Sequence, residues 1–223
     1  GDVVVKALLL VVSTTFLSKS LAKVDYASLD GVDAPTKSYG KEAGEYAMAG
    51  EVPSRSKDGA YEVATVAGGC FWGTELHYQR IPGVVATCVG YTQGAVERPN
   101  YESVCSGSTG HTEATQLIFD PSVCSYESLC EKLFSTIDPT ALNRVGNDRG
   151  TQYRHGIYTH TPEQAEVAAA FLERQQAKYS AKIVTEIKAA RVFYPAEGYH
   201  QQYLQKGGQS AEKNAPENVR CYG

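Results

Sequence analysis

The chain has 223 residues, 42% hydrophobic and 21% charged, with a formal net charge of −4. That length suits one sizeable domain with extensions better than two full domains, and the composition is that of an ordinary soluble globular protein. The slight acidic balance offers nothing to neutralise phosphates, and neither a Walker loop nor a G-x-G-x-x-G turn occurs, so nucleic acid and bound nucleotide are not expected.

The chain opens on an apolar run, Val3 to Val12, interrupted by Lys6 and short of the ~20 residues a membrane span needs. Ser20-Leu21-Ala22 has small-x-small character, so residues 1–22 read either as a signal or transit segment or as a first strand or helix docked on the domain. The compartment stays open between an organelle or secretory route and the cytoplasm. Residues 23–60 are rich in Ser, Gly, Asp, Lys and Ala without periodicity, and read as an irregular arm or linker lacking its own core.

Regular structure is expected from Tyr61. Tyr61–Val66 reads as a strand that runs into Gly68-Gly69, and Thr74–Gln79 as a short helix closed by Pro82-Gly83. Val84–Tyr91 and the alternating Thr112–Phe119, stopped by Asp120-Pro121, are two more strands. Tyr126–Phe134 is a helix, and Gly156–Tyr158 a short strand. Thr161-Pro162-Glu163 caps a long helix running to about Tyr179. Ile183–Ile187 is a strand, Glu197–Leu204 a last helix, and residues 206–223 a polar, glycine-rich mobile tail. Strands and helices mixed without strict βα alternation predict an α+β fold, with residues 61–205 as its body.

Six cysteines stand at Cys70, Cys88, Cys105, Cys124, Cys130 and Cys221, and no two have C-x-x-C spacing. A zinc knuckle or local redox pair is therefore not expected, and a chain this long can stabilise itself by its core without a disulfide framework. Mostly free thiols, one or two of them reactive, fit better.

The sharpest candidate is Gly68-Gly69-Cys70-Phe71-Trp72-Gly73. Two glycines after a strand permit a tight turn, and a helix starting just beyond would place Cys70 at its positive end, where a thiolate is favoured. A second block runs from Asn100 to Ala114 and contains His111-Thr112-Glu113. This is half of a zinc-deaminase signature, but the P-C-x-x-C partner is missing. Glu113 is either a solvent-face carboxylate or a buried acid whose raised pKa lets it donate a proton. The third block, Asn143 to Arg154, is a polar loop of the kind that carries binding groups.

Taken together, Gly-Cys-Phe-Trp-Gly, then Tyr101-x-x-Val-Cys-Ser-Gly-x-Thr-Gly-His-x-Glu113, then Gly146-x-Asp148-x-Gly-Thr-Gln-Tyr153-Arg, resemble type A methionine sulfoxide reductase, in the same order. Phe193 to Leu204 and the closing Arg220-Cys221-Tyr222-Gly223 extend the resemblance, which is closest to plant and algal members and runs from about Tyr61 to the end of the chain. It implies a two-layer mixed sheet with a ferredoxin-like core, and reduction of the S epimer of methionine sulfoxide, free or in proteins, without a metal or flavin. Carried over by motif, Cys70 is the nucleophile and Glu113 the proton donor, with Tyr101 and Tyr153 assisting. Phe71 and Trp72 hold the substrate methyl, and Asp148 orders the polar loop.

The resemblance makes Cys221 the resolving thiol and a thioredoxin-type dithiol the recycling partner; separately, a monomer is expected. Many relatives have two tail cysteines, whereas here only Cys221 follows Cys130, and Cys105 is the alternative resolver. Cys221 lies 17 residues beyond Leu204, and a flexible chain of that length reaches on the order of 20–25 Å. Two other classes compete: a cysteine hydrolase using His111 or His200 as base, and a redox-regulated binding domain without turnover.

Overall fold

The computed structural model describes residues 23–29 and 37–221, so the readings made for residues 1–22 lie outside the described residues. In chain order the elements are β1 (Lys37–Ser38), α1 (Gly40–Ala49), β2 (Glu62–Ala67), α2 (Phe71–Gln79), β3 (Val84–Thr92), α3 (Tyr101–Cys105), β4 (Thr112–Phe119), α4 (Tyr126–Phe134), β5 (Arg144–Val145), β6 (Asp148–Arg149), β7 (Gly156–Thr159), α5 (Pro162–Gln176), β8 (Glu186–Ala189), β9 (Tyr194–Pro195) and α6 (Tyr203–Lys206).

Strand β4 is buried along its whole length and organises the sheet. It pairs antiparallel with β2, Glu62 opposite Phe119, and with β3, Thr92 opposite Thr112. The sheet order is β1-β3-β4-β2-β7-β8, with β9 beside β1 on the outer edge of β3. Strands β2, β3, β4 and β7 with helices α2 and α4 therefore form a βαββαβ unit in the ferredoxin-like order, the mixed α+β arrangement expected. Helix α2 carries the chain from β2 over to β3, and so crosses the face of β4 that lies between them.

The two-residue period of the strands sends Ala64 and Val66 of β2 and Leu117 and Phe119 of β4 to one face. There they meet Tyr78 of α2, Leu129 and Leu133 of α4, and Phe171 of α5 in the main core. Glu113 shares the phase of Leu117, so the same period directs it toward α2. Val63, Ala114 and Ile118 point the other way, onto Tyr39, Ala43 and Phe193.

Four local expectations need amending. The arm 23–60 contains helix α1, whose Ala43, Gly44 and Ala47 are buried; Ala47 packs with Val24, Tyr26 and Leu29. Its apolar face consists of small residues, which carry little hydrophobic periodicity. The strand expected at Ile183–Ile187 forms three residues later, because Ile183 enters the core and Val184 donates its N–H to the Pro139 carbonyl (2.8 Å). The long helix stops at Gln176, where the Gln176 side chain accepts from Ile183 N–H (2.9 Å).

The last helix, expected over Glu197–Leu204, is confined to Tyr203–Lys206. Gln202 adopts φ 54°, and its N–H is taken by the buried Glu75 carboxylate (2.8 Å), while the Gln201 amide bonds both backbone groups of Val89 on β3. Residues committed to such partners cannot also close a helical turn.

Leu117 is fully buried at the centre of the main core. Leu117→Ala should lower the unfolding free energy by about 2–5 kcal/mol, read from denaturant midpoints at unchanged m.

Candidate active site

The start of α2 is built by its sequence. Gly69 takes φ +78°, and a Cβ there would lie 2.6 Å from the Cβ of Val145, so only glycine lets the chain pass beneath the β5–β6 hairpin. Cys70 is the N-cap residue with non-helical φ/ψ (−54°, 120°), and the Thr74 hydroxyl donates to the Gly68 and Cys70 carbonyls, each at 3.2 Å. The helix thus begins three residues earlier than its sequence pattern suggests, and Cys70 sits at its positive end.

An α-helix leaves its first N–H groups without intrahelical partners. Here they face groups of the site. Phe71 N–H donates to Glu113 Oε2 at 3.0 Å, and the Asp148 carboxylate and the Cys70 and Cys221 sulfurs lie within the pull of the Cys70, Trp72 and Gly73 amides, which favour their charged forms. Cys221 Sγ stands 3.3 Å from Cys70 Sγ, and both thiols are free. A methyl group at position 73 would already touch Cys221 (3.6 Å), so glycine there opens the path for the tail. The crevice beside the two sulfurs encloses about 270 Å³ and is walled on its far side by Val145 to Asp148 of the hairpin.

The electrostatics divide these groups. Glu113 is 1% exposed, and burial, with smaller contributions from the charges of Asp148 and Cys221, raises its pKa to about 8 against the pull of the Phe71 N–H. It is a buried acid that holds its proton at neutral pH. The hydrogen bond with Cys221, followed by burial and, once Glu113 ionises, its carboxylate, pushes the Cys70 thiol up, and the same bond lowers Cys221. With the tail docked, the thiolate preference expected at a helix N-terminus is therefore outweighed at Cys70.

Tyr101 and Tyr153 approach from the other side, beside the half-buried Cys105, whose thiol burial pushes up against the pull of the two hydroxyls. Burial holds both phenols in their protonated form. Tyr101 opens α3, which Asn100 caps through Ser103 N–H (3.0 Å). Tyr153 sits on a one-turn helix held to β4 by the Thr112 hydroxyl, which donates to the Gln152 (3.1 Å) and Arg154 (3.0 Å) carbonyls. Phe71 is 1% exposed and forms the floor with Val89, Tyr91 and Val104. Trp72 is only half-buried, stacks on Tyr203 at 3.8 Å between centroids, and donates its indole N–H to His200 Nδ1 (3.0 Å).

The supporting groups Glu197, Tyr203 and Tyr91 were not among the predicted site residues, and His200 was expected only as a hydrolytic base. Glu197 accepts from Tyr101 N–H (2.8 Å) and the Tyr91 hydroxyl (2.9 Å), while His200 lies between the rings of Trp72 and Tyr101. Their available signal was a run from Glu197 to Tyr203 too polar for a core helix. Neither histidine proposed as a hydrolytic base serves Cys70. His111 is engaged by Gly94 N–H (3.2 Å) and the Val96 carbonyl (2.7 Å). His200 accepts from Trp72, and burial lowers its pKa to about 4.

A split-βαβ sheet whose crossing helix holds two touching thiols beside a protonated carboxyl defines a thiol redox centre. Residues 62–220 match the family model for peptide methionine sulfoxide reductase, and the chain belongs to that family. It is 51% identical over 178 residues to peptide methionine sulfoxide reductase A4, chloroplastic, of Arabidopsis thaliana, covering 78% of this chain and 67% of the relative. It is 52% identical over 162 residues to reductase A2-1 of Oryza sativa subsp. japonica, covering 73% and 87%. Among solved structures, Mxr1 from Saccharomyces cerevisiae in reduced form superposes with TM-score 0.65 at 35% identity, covering 70% of this chain and 90% of that one. Methionine sulfoxide reductase A of Corynebacterium diphtheriae gives 0.62 at 30%, covering 90% and 98%.

Glu113 keeps its proton up to about pH 8 when folded, against 4.5 for the ordinary carboxyl. The folded state therefore binds the extra proton between these values and loses stability as pH rises through them. Infrared difference spectra should show a protonated carboxyl that disappears near pH 8 and is absent in Glu113→Gln, whose melting temperature should decline less over the same range. A band lost near pH 4.5 would refute the buried-acid assignment.

Proposed function

We propose that this chain reduces the S epimer of methionine sulfoxide, free or in proteins, with Cys70 as nucleophile, Cys221 as resolving thiol and a thioredoxin-type dithiol as final reductant. Membership of the family supports the reaction. The observation that carries the assignment of residues is the meeting of Cys70, Cys221 and the protonated Glu113 on one helix end.

Departure of Cys221 from Cys70 removes the largest contribution holding the Cys70 thiol up, and leaves the Trp72 N–H and the helix N-terminus to favour its thiolate. The thiolate attacks the sulfoxide sulfur. Glu113 gives its proton to the sulfoxide oxygen, and the Tyr101 and Tyr153 hydroxyls, turned from Cys105, donate to that oxygen as charge develops. The S–S bond formed to the substrate and a second proton let the substrate S–O bond break with loss of water. Water then attacks the Cys70 sulfur, the S–S bond breaks with its electron pair going to methionine, a proton is released, and Cys70 is left as a sulfenic acid.

Cys221 then attacks the Cys70 sulfur. An S–S bond forms, and the hydroxyl departs with a proton as water. Thioredoxin-type exchange returns both thiols, so the sum is sulfoxide plus dithiol to methionine, disulfide and water. Asp148 fixes the Cys70 loop through the Cys70 N–H, and Trp72, held by His200 and Tyr203, walls the substrate methyl above the Phe71 floor. Contact of Cys221 with Cys70, and of Cys105 with the tyrosines, favours Cys221 as resolver. Residues 1–22 serve as an organelle or secretory address in this reading, which the chloroplastic relative supports.

Turnover with dithiothreitol should be confined to the S epimer and fall to background in Cys70→Ser, with the fold retained by circular dichroism; activity in that variant would end the reading. Cys221→Ser should release one methionine per enzyme, then stall with thioredoxin while a dimedone-reactive sulfenic acid accumulates at Cys70. Full thioredoxin turnover there would transfer the resolving role to Cys105.

A further inference from the structure

The mechanism makes no use of two cations, Arg80 and Lys213, whose contacts bind the C-terminal tail to the helix that carries the nucleophile. We infer that they are positioning residues for the resolving step, docking the tail along α2 so that Cys221 arrives at Cys70. This rests on the roles proposed for those two cysteines.

The tail runs back along α2, from its C-terminal end toward its start. At the far end, Lys213 Nζ donates to the Gln79 carbonyl (2.6 Å) and to the Val84 carbonyl (2.7 Å). Gln79 is the last residue of α2, and a cation at a helix C-terminus sits where the terminal carbonyls concentrate negative charge. Arg80, 8% exposed, donates to the carbonyls of Ser210 (2.9 Å) and Glu217, and its own carbonyl accepts from Asn214 N–H (2.8 Å). Midway, Ala211 is buried against Leu76 and Leu204, and Val219 packs on the same cluster beside Trp72. At the near end Cys221 lies over Gly73, with its sulfur 3.3 Å from that of Cys70. One helix thus receives the tail at both poles, a lysine on its last carbonyls and a sulfur over its first turn.

The anchor also shortens the moving part. Counted from Leu204, 17 residues separate Cys221 from the body; counted from Lys213, only eight. Eight extended residues span up to about 27 Å, ample for the ~13 Å length of a nine-residue helix. Because local concentration falls as about the −3/2 power of tether length, releasing the anchor dilutes Cys221 at Cys70 about threefold, before any loss of alignment. The tail is therefore a short strap anchored through Lys213 and Arg80, and the eight residues beyond Lys213, held more lightly by the Gln209–Arg220 pair and Val219, are the part that lifts for substrate.

The test is rapid-quench kinetics on the full chain with methionine sulfoxide, following methionine release and Cys70–Cys221 disulfide formation separately. Lys213→Met keeps the stem and removes the ammonium. Combined with Arg80→Met, it should slow disulfide formation threefold or more, prolong the dimedone-reactive sulfenic acid, and leave the rate of the methionine burst unchanged. Lys213→Arg, which keeps a cation and donors, should recover most of the loss. In a Cys221→Ser background, Lys213→Met should not alter sulfenic acid lifetime, since the residue acts only through that thiol. An unchanged disulfide rate in Lys213→Met and in the double variant, or an equal slowing of the burst and the disulfide, would overturn the inference. Absence of a Cys70–Cys221 link in the wild type would instead overturn the resolving role itself, and the positioning role with it.

Discussion

The four unpaired N–H groups at the start of α2 are the constraint to which the site is fitted. A buried helix end must place those donors, and this one bonds Glu113 through Phe71 and faces Asp148, Cys70 and Cys221 with the others. These partners belong to different parts of the molecule: strand β4, the β5–β6 hairpin, the helix start itself and the tail. The arrangement depends on α2 starting immediately after Cys70. That start depends on the left-handed turn at Gly69, whose missing side chain lets Val145 approach.

The same geometry explains why opposed chemical demands can be met side by side. In the proposed mechanism Glu113 is neutral so that it can give a proton, and its burial on a strand that is buried along its whole length keeps it so. In the same proposal Cys70 is ionised when it attacks, and the docked Cys221 opposes this. A protonated carboxyl beside the sulfur carries no charge to disfavour the thiolate. The acid and the nucleophile are compatible only in this order of protonation, which burial enforces.

Around this pair the remaining groups act through orientation. Glu197 links Tyr91 to the backbone of Tyr101, and His200 holds the Trp72 indole. None of these bonds is local in sequence. They place the aromatic wall and the hydroxyl donors on opposite flanks of a shared floor, Phe71, so that a substrate with a methyl on one side of its sulfur and an oxygen on the other is matched by an apolar and a polar flank.

Local sequence was sufficient for whatever depends on neighbours along the chain. Alternation identified Thr112–Phe119 as a strand, turn residues closed it, capping residues opened the helix at Pro162, and glycines beside Cys70 marked the reactive turn. The motif blocks named Cys70, Glu113, Tyr101, Tyr153, Asp148 and Cys221 without indicating which would touch. Helix α1 escaped because its contact face is made of alanine and glycine, whose burial is bought by fit and not by hydrophobicity. The Glu197–Leu204 helix was overruled by bonds to Glu75 and Val89, residues more than a hundred positions away. Whether Glu113 was a surface carboxylate or a buried acid was undecidable from its own strand, since both faces of that strand proved to be covered. Only the tertiary structure could decide this, because desolvation is a property of what the rest of the chain lays over a residue, and so are the meeting of Cys221 with Cys70 and the docking of the tail on α2.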